Sequence, residues 1–336
     1  MYILGIESSC DETSVSVVRN GREVLSNIIS SQADIHAKYG GVVPEIASRA
    51  HTEAIYSLCE SALAQSGVDI ADINAVAATY APGLIGALLV GLNFGKALAY
   101  KLNVPLIPVN HIAGHIAAAY IENKNLEPPF LAFVASGGHT SILNVSDYTK
   151  FEILGMTRDD AIGEAFDKTA RAMGFPYPGG AEIEKCANLG DKTSVKIPMA
   201  KVEGSELDFS FSGIKTHVIN YINSIQQKNG VLTDTDKNNI AASFTENAIQ
   251  SVILRIKRAI EITGHKTLVC AGGVMANGHI RDALKNLCST LDVKLYIPDK
   301  KYCGDNAAMI AVQGFYEFQA GHIAGLNQNA FATFDF

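Results

Sequence analysis

Two stretches of this 336-residue chain open with the same grammar, and that repetition constrains the fold more than any other feature. Tyr2–Glu7 is an apolar run, Ser8-Ser9-Cys10-Asp11 is a short polar turn, and residues 13–19 alternate with Val15 and Val17 on one face. Asn20-Gly21 is a strong two-residue hairpin signal, after which residues 24–29 return as a third strand. Beyond Pro128-Pro129 the pattern recurs: Phe130–Ala135, the turn Ser136-Gly137-Gly138, a strand over 139–145, a turn over 146–149 and a strand over 150–154. Helices and buried strands follow each meander. The prediction is an α/β chain of two duplicated lobes with a central cleft. Residues 1–127 with 307–336 form the first lobe and residues 128–306 the second.

The remaining elements fit that plan. Ala47, Ala50, Ala54, Leu58 and Ala62 recur at helical spacing over Pro44–Ser66, with Pro44 suited to the first turn and Gly67 to the stop. A strand over 106–109 feeds a helix from His111. The second half adds a helix over 240–263 ending at Gly264, a buried strand at Thr267–Ala271, a helix over 278–287 and a short strand over 295–297. A last helix over 306–319 crosses back toward the first lobe. Residues 223–236 read as the most loop-like segment. No charged residue occurs between Asp72 and Lys96, which mimics a membrane span. Pro82-Gly83, Gly86, Gly91 and Gly95 interrupt it, so a buried strand over 75–80, a turn and a close-packed helix are the expectation, with no membrane contact.

Composition narrows the function classes. The chain is 48% hydrophobic, enough for two cores and against global disorder. Its net charge of −7 argues against strong autonomous nucleic-acid binding. Cys10, Cys59, Cys186, Cys270, Cys288 and Cys303 form no Cys-x-x-Cys pair, and residues 1–8 read as a strand rather than a signal peptide. Reduced thiols in a cytoplasmic, soluble protein are expected.

Five signals bear on chemistry. His111 and His115, at i and i+4, share a helix face and can share a metal; the same pattern also serves as solvated or capping histidines. Ile112 follows His111, so the protease motif His-Glu-x-x-His is absent. Asp305, between a strand and a helix, would complete a two-His, one-carboxylate site, although helix N-capping is the commoner use of such an Asp. The turn Ser136-Gly137-Gly138 lets backbone N–H groups approach an anion, or is a plain hairpin. The run from Cys270 to Asn277 ends a strand in Gly272-Gly273 before a helix, which suits an adenosine stacked on the glycines, or close strand–helix packing. Asp159, Asp160, Glu164 and Asp167 can bond ribose hydroxyls, or mark a charged helix start. Asp11-Glu12 occupies the first turn, facing the same cleft, where Asp also serves turn chemistry alone.

Together, Gly5-Ile-Glu-Ser-Ser-Cys-Asp-Glu-Thr13, His111-x-x-x-His115, Ser136-Gly-Gly-His-Thr140, Gly163-Glu-Ala-Phe-Asp-Lys168, Phe209-Ser-Phe-Ser-Gly-Ile-Lys-Thr216 and Gly272-Gly-Val-x-x-Asn277 resemble the motifs of the TsaD (Gcp) family of tRNA threonylcarbamoyl transferases. The resemblance covers essentially the whole chain. It implies the actin-like ATPase fold shared with sugar kinases and Hsp70. It implies transfer of a threonylcarbamoyl group from threonylcarbamoyl-AMP to N6 of adenosine 37 in tRNAs reading ANN codons.

By motif, His111, His115 and Asp305 match the ligands of one divalent metal, iron or zinc. Val134, Ala135, Ser136, Gly137, Gly138, Asp167, Gly180 and Asn277 match contacts to the adenylate, a site ATP or AMP can also occupy; Glu184, Gly272 and Gly273 join them. Glu184 stands where the family more often has Asp, Ala181 where it often has Pro, and Gly304 where it usually has Thr. Asp11 or Glu12 is the candidate for orienting N6 or accepting its proton. The family further implies a TsaB-like paralogue and a TsaE-like ATPase as partners, and tRNA rather than DNA as the nucleic acid. Arg49, Lys168, Arg171 and Lys215 are the candidate tRNA contacts. A kinase or ATPase would share the fold without needing the His–His–Asp set. A metallopeptidase, an older label for the family, lacks an evident base, and a noncatalytic scaffold would have no reason to carry all these motifs.

Overall fold

Asn20 and Gly21 both adopt positive φ, 50° and 75°, and reverse the chain between β2 (Glu12–Arg19) and β3 (Glu23–Ser31). The computed structural model describes residues 1–200 and 202–333. β1 (Tyr2–Glu7) pairs antiparallel with β2, while β4 (Ala75–Ala81) and β5 (Leu106–Asn110) add in parallel on its other side. The resulting order is β3-β2-β1-β4-β5. The second sheet uses β6 (Phe130–Ala135), β7 (Thr140–Asp147), β8 (Lys150–Met156), β9 (Thr267–Ala271) and β10 (Lys294–Tyr296). Read from its far edge, its order is β8-β7-β6-β9-β10, the same topology with each strand five places later in the chain. The duplication expected from the repeated meander is therefore present in the sheets themselves.

Helices cover both faces of the first sheet. α1 (Ala33–Ala37) is a single short turn, and α2 (Pro44–Ser66) and α3 (Ile85–Leu102) follow. Leu4 and Ile6 of β1 point into a core with Ile55, Leu88 and Leu92 from these helices. α3 is long and apolar enough to cross a membrane by length and composition alone. It lies on the sheet instead, because its glycine stripe permits contact that no side chain would. A Cβ on Gly91 would strike Ser8, and one on Gly95 would come within 3.1 Å of Ala78 Cβ. On the other side of β1, a Cβ at Gly5 would meet Ala311 at 2.8 Å, so α10 (Ala307–Gln319) packs backbone to backbone there. α4 (His111–Glu122) follows β5 directly.

The second sheet carries α5 (Ile162–Ala172), α6 (Gly180–Ala187), α7 (Ser212–Asn229), α8 (Asp234–Thr263) and α9 (Gly278–Leu291). Residues 223–236, expected as a loop, are helical except at 230–233. α7 buries Ile214, Val218 and Ile222 at four-residue spacing, and its polar tail is the solvent face. α8 starts earlier than expected because Thr233 and Asp236 form a capping box.

The chain divides into two compact units: Met1–Pro128 with Val145–Phe151 and Pro298–Phe336, and Pro129–Asn144 with Glu152–Ile297. The return to the first unit thus begins at Pro298 rather than at residue 307. The Asp299 N–H donates to Glu122 at the end of α4, which draws this segment in early. Residues 145–151 also join the first unit, where Tyr148 stacks on Tyr316 with ring centroids 4.0 Å apart and its carbonyl accepts from Gln313.

Candidate functional site

In the first unit, Asn110 caps α4 by accepting the N–H groups of Ile112 and Ala113, which fixes where the helix begins. His111 and His115 then fall one turn apart, ring centroids 4.6 Å from each other. Asp305 meets both: its Oδ1 is 3.7 Å from His111 Nε2 and 3.2 Å from His115 Nε2. One ligand atom from each of the three lies within 4.8 Å of the others. The open question of Asp305 as a helix cap is answered by its neighbour. Asn306 caps α10, accepting from Met309 N–H, so the Asp305 carboxylate is not used there.

These residues fit a divalent metal. His115 is fully buried, yet neither ring nitrogen makes a hydrogen bond, its approach to Asp305 being poorly angled for one. Two imidazoles and a carboxylate are a donor set suited to a borderline divalent metal.

Glu7 stands behind His111. Its Oε2 is 3.1 Å from His111 Nδ1 and accepts from the Thr79 hydroxyl at 2.7 Å, while its Oε1 accepts from the Ser9 N–H. The pairing holds Nδ1 away from the ligand set and turns Nε2 toward Asp305. Burial would lower the His111 pKa, but the charges of Glu7 and Asp305 and the Glu7 hydrogen bond win, and it is raised to about 9. Glu12 is pushed up to about 9 by burial and by the charges of Asp305 and Asp11. A site that leaves a carboxylic acid protonated and an imidazole charged is short of positive charge, which a divalent ion would supply. Asp11 is buried within the same turn, and His51 of α2 braces that turn through the Cys10 carbonyl at 2.9 Å and the Thr13 hydroxyl at 2.7 Å. No disulfide joins the six cysteines among the described residues.

The second unit carries the candidate adenylate loops. Val134 and Ala135 end β6, fully buried, and Ser136 closes the turn by donating its N–H to the His139 carbonyl. Gly137 and Gly138 are exposed, and a Cβ at either would meet nothing within 4 Å, so their backbone faces open space. Gly272 and Gly273 differ. Gly272 has φ of +96°, and a Cβ there would lie 2.7 Å from the Ala135 carbonyl carbon; Gly273 has nothing within 4 Å. A 3-10 turn over Gly273–Ala276 precedes α9, which Asn277 caps with its amide oxygen.

Asp167 and Glu184 brace these loops. Asp167 Oδ1 accepts the Gly179 N–H at 2.8 Å and Glu184 Oε1 accepts the Gly278 N–H at 2.8 Å, tying α6 to the start of α9. Gly180, first residue of α6, is open. The acidic run before α5 is occupied elsewhere. Asp159 accepts from the backbone of Phe211 and Ser212 and from the hydroxyls of Ser210 and Ser212, and Asp160 pairs with Lys168 and Lys215. Both anchor α7 instead of offering carboxylates to a ribose. Arg49 is exposed on α2 and paired with Glu45.

A model of the tRNA N6-adenosine threonylcarbamoyltransferase family (TsaD) matches residues 23–312. The enzyme of that name from Clostridium perfringens strain SM101 is 50% identical over 328 residues, 98% of this chain and 96% of that one. The chain belongs to the tRNA N6-adenosine threonylcarbamoyltransferase family. Membership makes it a transferase that modifies tRNA. Among solved structures, the activator of 2-hydroxyisocaproyl-CoA dehydratase from Clostridium difficile with bound ADPNP aligns over 96% of this chain and 97% of its own, at TM-score 0.54 and 14% identity. A ROK hexokinase from Thermus thermophilus aligns over 96% and 100%, at TM-score 0.51 and 14% identity. These establish the actin-like ATPase fold that the family resemblance implied and that the duplicated sheets agree with.

Within this candidate site, Glu7 is a residue that the sequence did not single out. Its one local signal is an acid at the end of an otherwise apolar strand, buried to 0% exposure. Exchange of Glu7 for Gln keeps its shape and removes the charge that orients His111. Metal affinity should fall about 10- to 100-fold, measured by competition with a chelator, with the fold retained. Unchanged affinity would show that His111 needs no such support.

Proposed function

We propose that this chain transfers the threonylcarbamoyl group of threonylcarbamoyl-AMP to N6 of adenosine 37 in tRNAs reading ANN codons. The observation that carries the reading is the His111–His115–Asp305 set in a member of this family, since a kinase or ATPase of the same fold has no use for it. In the first unit these three residues would hold one divalent metal, iron or zinc, which when bound supplies Lewis-acid stabilisation of charge on the carbamoyl oxygen. In the second unit, backbone N–H groups at Ser136, Gly137 and Gly138 hold the adenylate phosphate, beside the ends of β6 at Val134 and Ala135. Gly273 offers a flat surface to adenine, with Gly272 shaping the loop beneath it. Gly180 and the Asn277 amide nitrogen contact the nucleotide, and Asp167 and Glu184 keep their loops in register. ATP or AMP occupies the same place.

The reaction balances without a redox partner. The N6 lone pair attacks the carbamoyl carbon, a C–N bond forms, and the mixed-anhydride C–O bond to phosphate breaks. AMP leaves with that electron pair. The proton lost from N6 goes to Asp11 or to the ionised form of Glu12, which also orient the amine. Adenosine 37 lies in a loop, so the base reaches the enzyme without opening a duplex. The protein works in the cytoplasm, with a TsaB-like paralogue and a TsaE-like ATPase supplying surface and turnover that this acidic chain lacks. Supplying synthetic threonylcarbamoyl-AMP to the chain with its partners should yield modified tRNA without ATP. Modification that required ATP hydrolysis even with the adenylate supplied would point to a kinase-type reaction and sink the proposal.

A further inference from the structure

The turn between β1 and β2 carries Asp11 and Glu12, and three separate elements of the first unit hold it. β1 and β2 pair only as far as Glu7 opposite Ser14, so residues 8–13 have no ladder partner across that hairpin. Their carbonyls are taken up elsewhere. The Ser9 carbonyl accepts the Leu84 N–H at 2.8 Å, the Cys10 carbonyl accepts from His51 Nε2 at 2.9 Å, and the Asp11 carbonyl accepts the Gln32 N–H at 2.9 Å. Consecutive carbonyls thus meet the start of α3, the body of α2 and the residue after β3. Of these donors, only His51 is a side chain.

His51 is fully buried, and both of its ring nitrogens are used on this turn. A carbonyl can only accept, so Nε2 carries the proton. Burial holds the pKa of the ring below its ordinary value and keeps it neutral, so Nδ1 accepts the Thr13 hydroxyl at 2.7 Å. One ring therefore bridges residues 10 and 13 and brackets Asp11 and Glu12 between its two hydrogen bonds. Filling space on the buried face of α2 needs no imidazole, since Ala47, Ile55 and Ala62 do so without a polar side-chain atom. Burying one is unfavourable unless both nitrogens find partners, and here both partners belong to the turn. Glu12 Oε1 accepts from the Ser31 hydroxyl at 3.1 Å, and Asp11 is buried. The backbone of the turn therefore decides where both carboxylates sit.

We infer that His51 is a positioning residue for the transfer: its two hydrogen bonds fix the Cys10–Thr13 turn and with it the carboxylates that take the N6 proton. The inference rests on the role proposed above for Asp11 and Glu12, and adds the group that keeps them in place. A proton acceptor works only within hydrogen-bond reach of its proton. A turn displaced by about 1 Å therefore costs rate rather than substrate binding.

His51→Phe keeps a ring in place and removes both hydrogen bonds. In the full chain with its partners and supplied threonylcarbamoyl-AMP, kcat should fall on the order of 10- to 100-fold, while KM for tRNA and for the adenylate stays within about twofold. Bound metal, by elemental analysis, should be unchanged. Thr13→Val breaks one of the two bonds, so it should lower kcat less and add little on top of His51→Phe. His51→Gln, whose amide still donates to one carbonyl, should recover part of the rate. Amide exchange read by mass spectrometry answers without catalysis: residues 8–14 should exchange about tenfold faster or more in His51→Phe, and α10 should not. If His51→Phe does not fold, Thr13→Val and His51→Gln carry the same split between kcat and KM. Parental kcat in the folded variants overturns the inference, even if Tm falls. So does a loss carried by KM or by metal content alone. A parent chain that fails to transfer from the supplied adenylate contradicts the donor proposed above instead. Exchange at residues 8–14 then decides His51, and parental protection there overturns the inference.

Discussion

Replacing His115 with alanine should leave a folded chain that no longer retains metal, and transfer activity should fall by at least about a hundredfold. His115 is fully buried, so truncation leaves a cavity that costs up to about 2–3 kcal/mol. That cost is partly offset, because both ring nitrogens are buried without hydrogen bonds in the metal-free protein and their removal relieves about 1–3 kcal/mol of unmet polarity. His111→Ala should lose metal as well, and elemental analysis of each variant and of the double variant reads the outcome. Full occupancy in the double variant would refute the site.

The same site predicts a pH dependence. His111 is raised from 6.5 to about 9, so in the metal-free protein its protonated form adds stability below 6.5 that is lost as pH climbs through about 9. A metal needs the unprotonated nitrogen. Its apparent affinity should therefore rise about tenfold per pH unit up to about 9 and then level off. Glu12, also held up to about 9, adds a proton release in the same direction. Affinity that is flat over this window would mean that His111 is not a ligand.

How much of this was legible in the sequence depends on the distance over which each residue acts. Tyr2–Glu7, Phe130–Ala135 and Thr267–Ala271 are local patterns, and their strands begin and end where the apolar runs do. Pro44–Ser66 carries its own start and stop, with Gly67 in the left-handed region at φ 67°. The His111–His115 face follows from helical geometry alone. Glu7 does not, because its partner His111 is 104 residues away and nothing in the strand announces a buried ion pair. Asp305 and Asn306 are both good caps by composition, and only the geometry of α10 chooses the second. Asp159 reads as a helix-start acid of α5 but serves the backbone of α7, some 50 residues later, at 2.8 Å from Phe211 N. The last turns of α7 read as loop because residues 223–229 are mostly polar, while its buried positions Ile214, Val218 and Ile222 all lie upstream of them.

Two adjacent glycines should respond in opposite ways, and the pair locates the adenosine surface. Gly272 follows β9 where that strand runs parallel beside β6, with Val134 opposite Ala271. Its φ of +96° is unfavourable for any side chain, and a Cβ there would press on the Ala135 backbone, 2.7 Å from the carbonyl carbon. Backbone at a sheet's end cannot rotate away as a flexible side chain would. Gly272→Ala should therefore destabilise the protein by about 3 kcal/mol, visible as a fall in Tm of roughly 5–10 °C. Gly273 meets nothing within 4 Å, so Gly273→Leu should keep the parent Tm to within a few degrees. What it should lose is the ligand. An isobutyl group on the stacking surface removes about 1–3 kcal/mol of base contact and adds a steric clash, so AMP affinity should drop on the order of a hundredfold by calorimetry. The contrast is what carries the inference: a stability defect at residue 272, a binding defect with stability retained at 273. If Gly273→Leu binds AMP as the parent does, the adenine lies elsewhere in the second unit, and the open glycine backbone at Gly137 and Gly138 becomes the next surface to block in the same way.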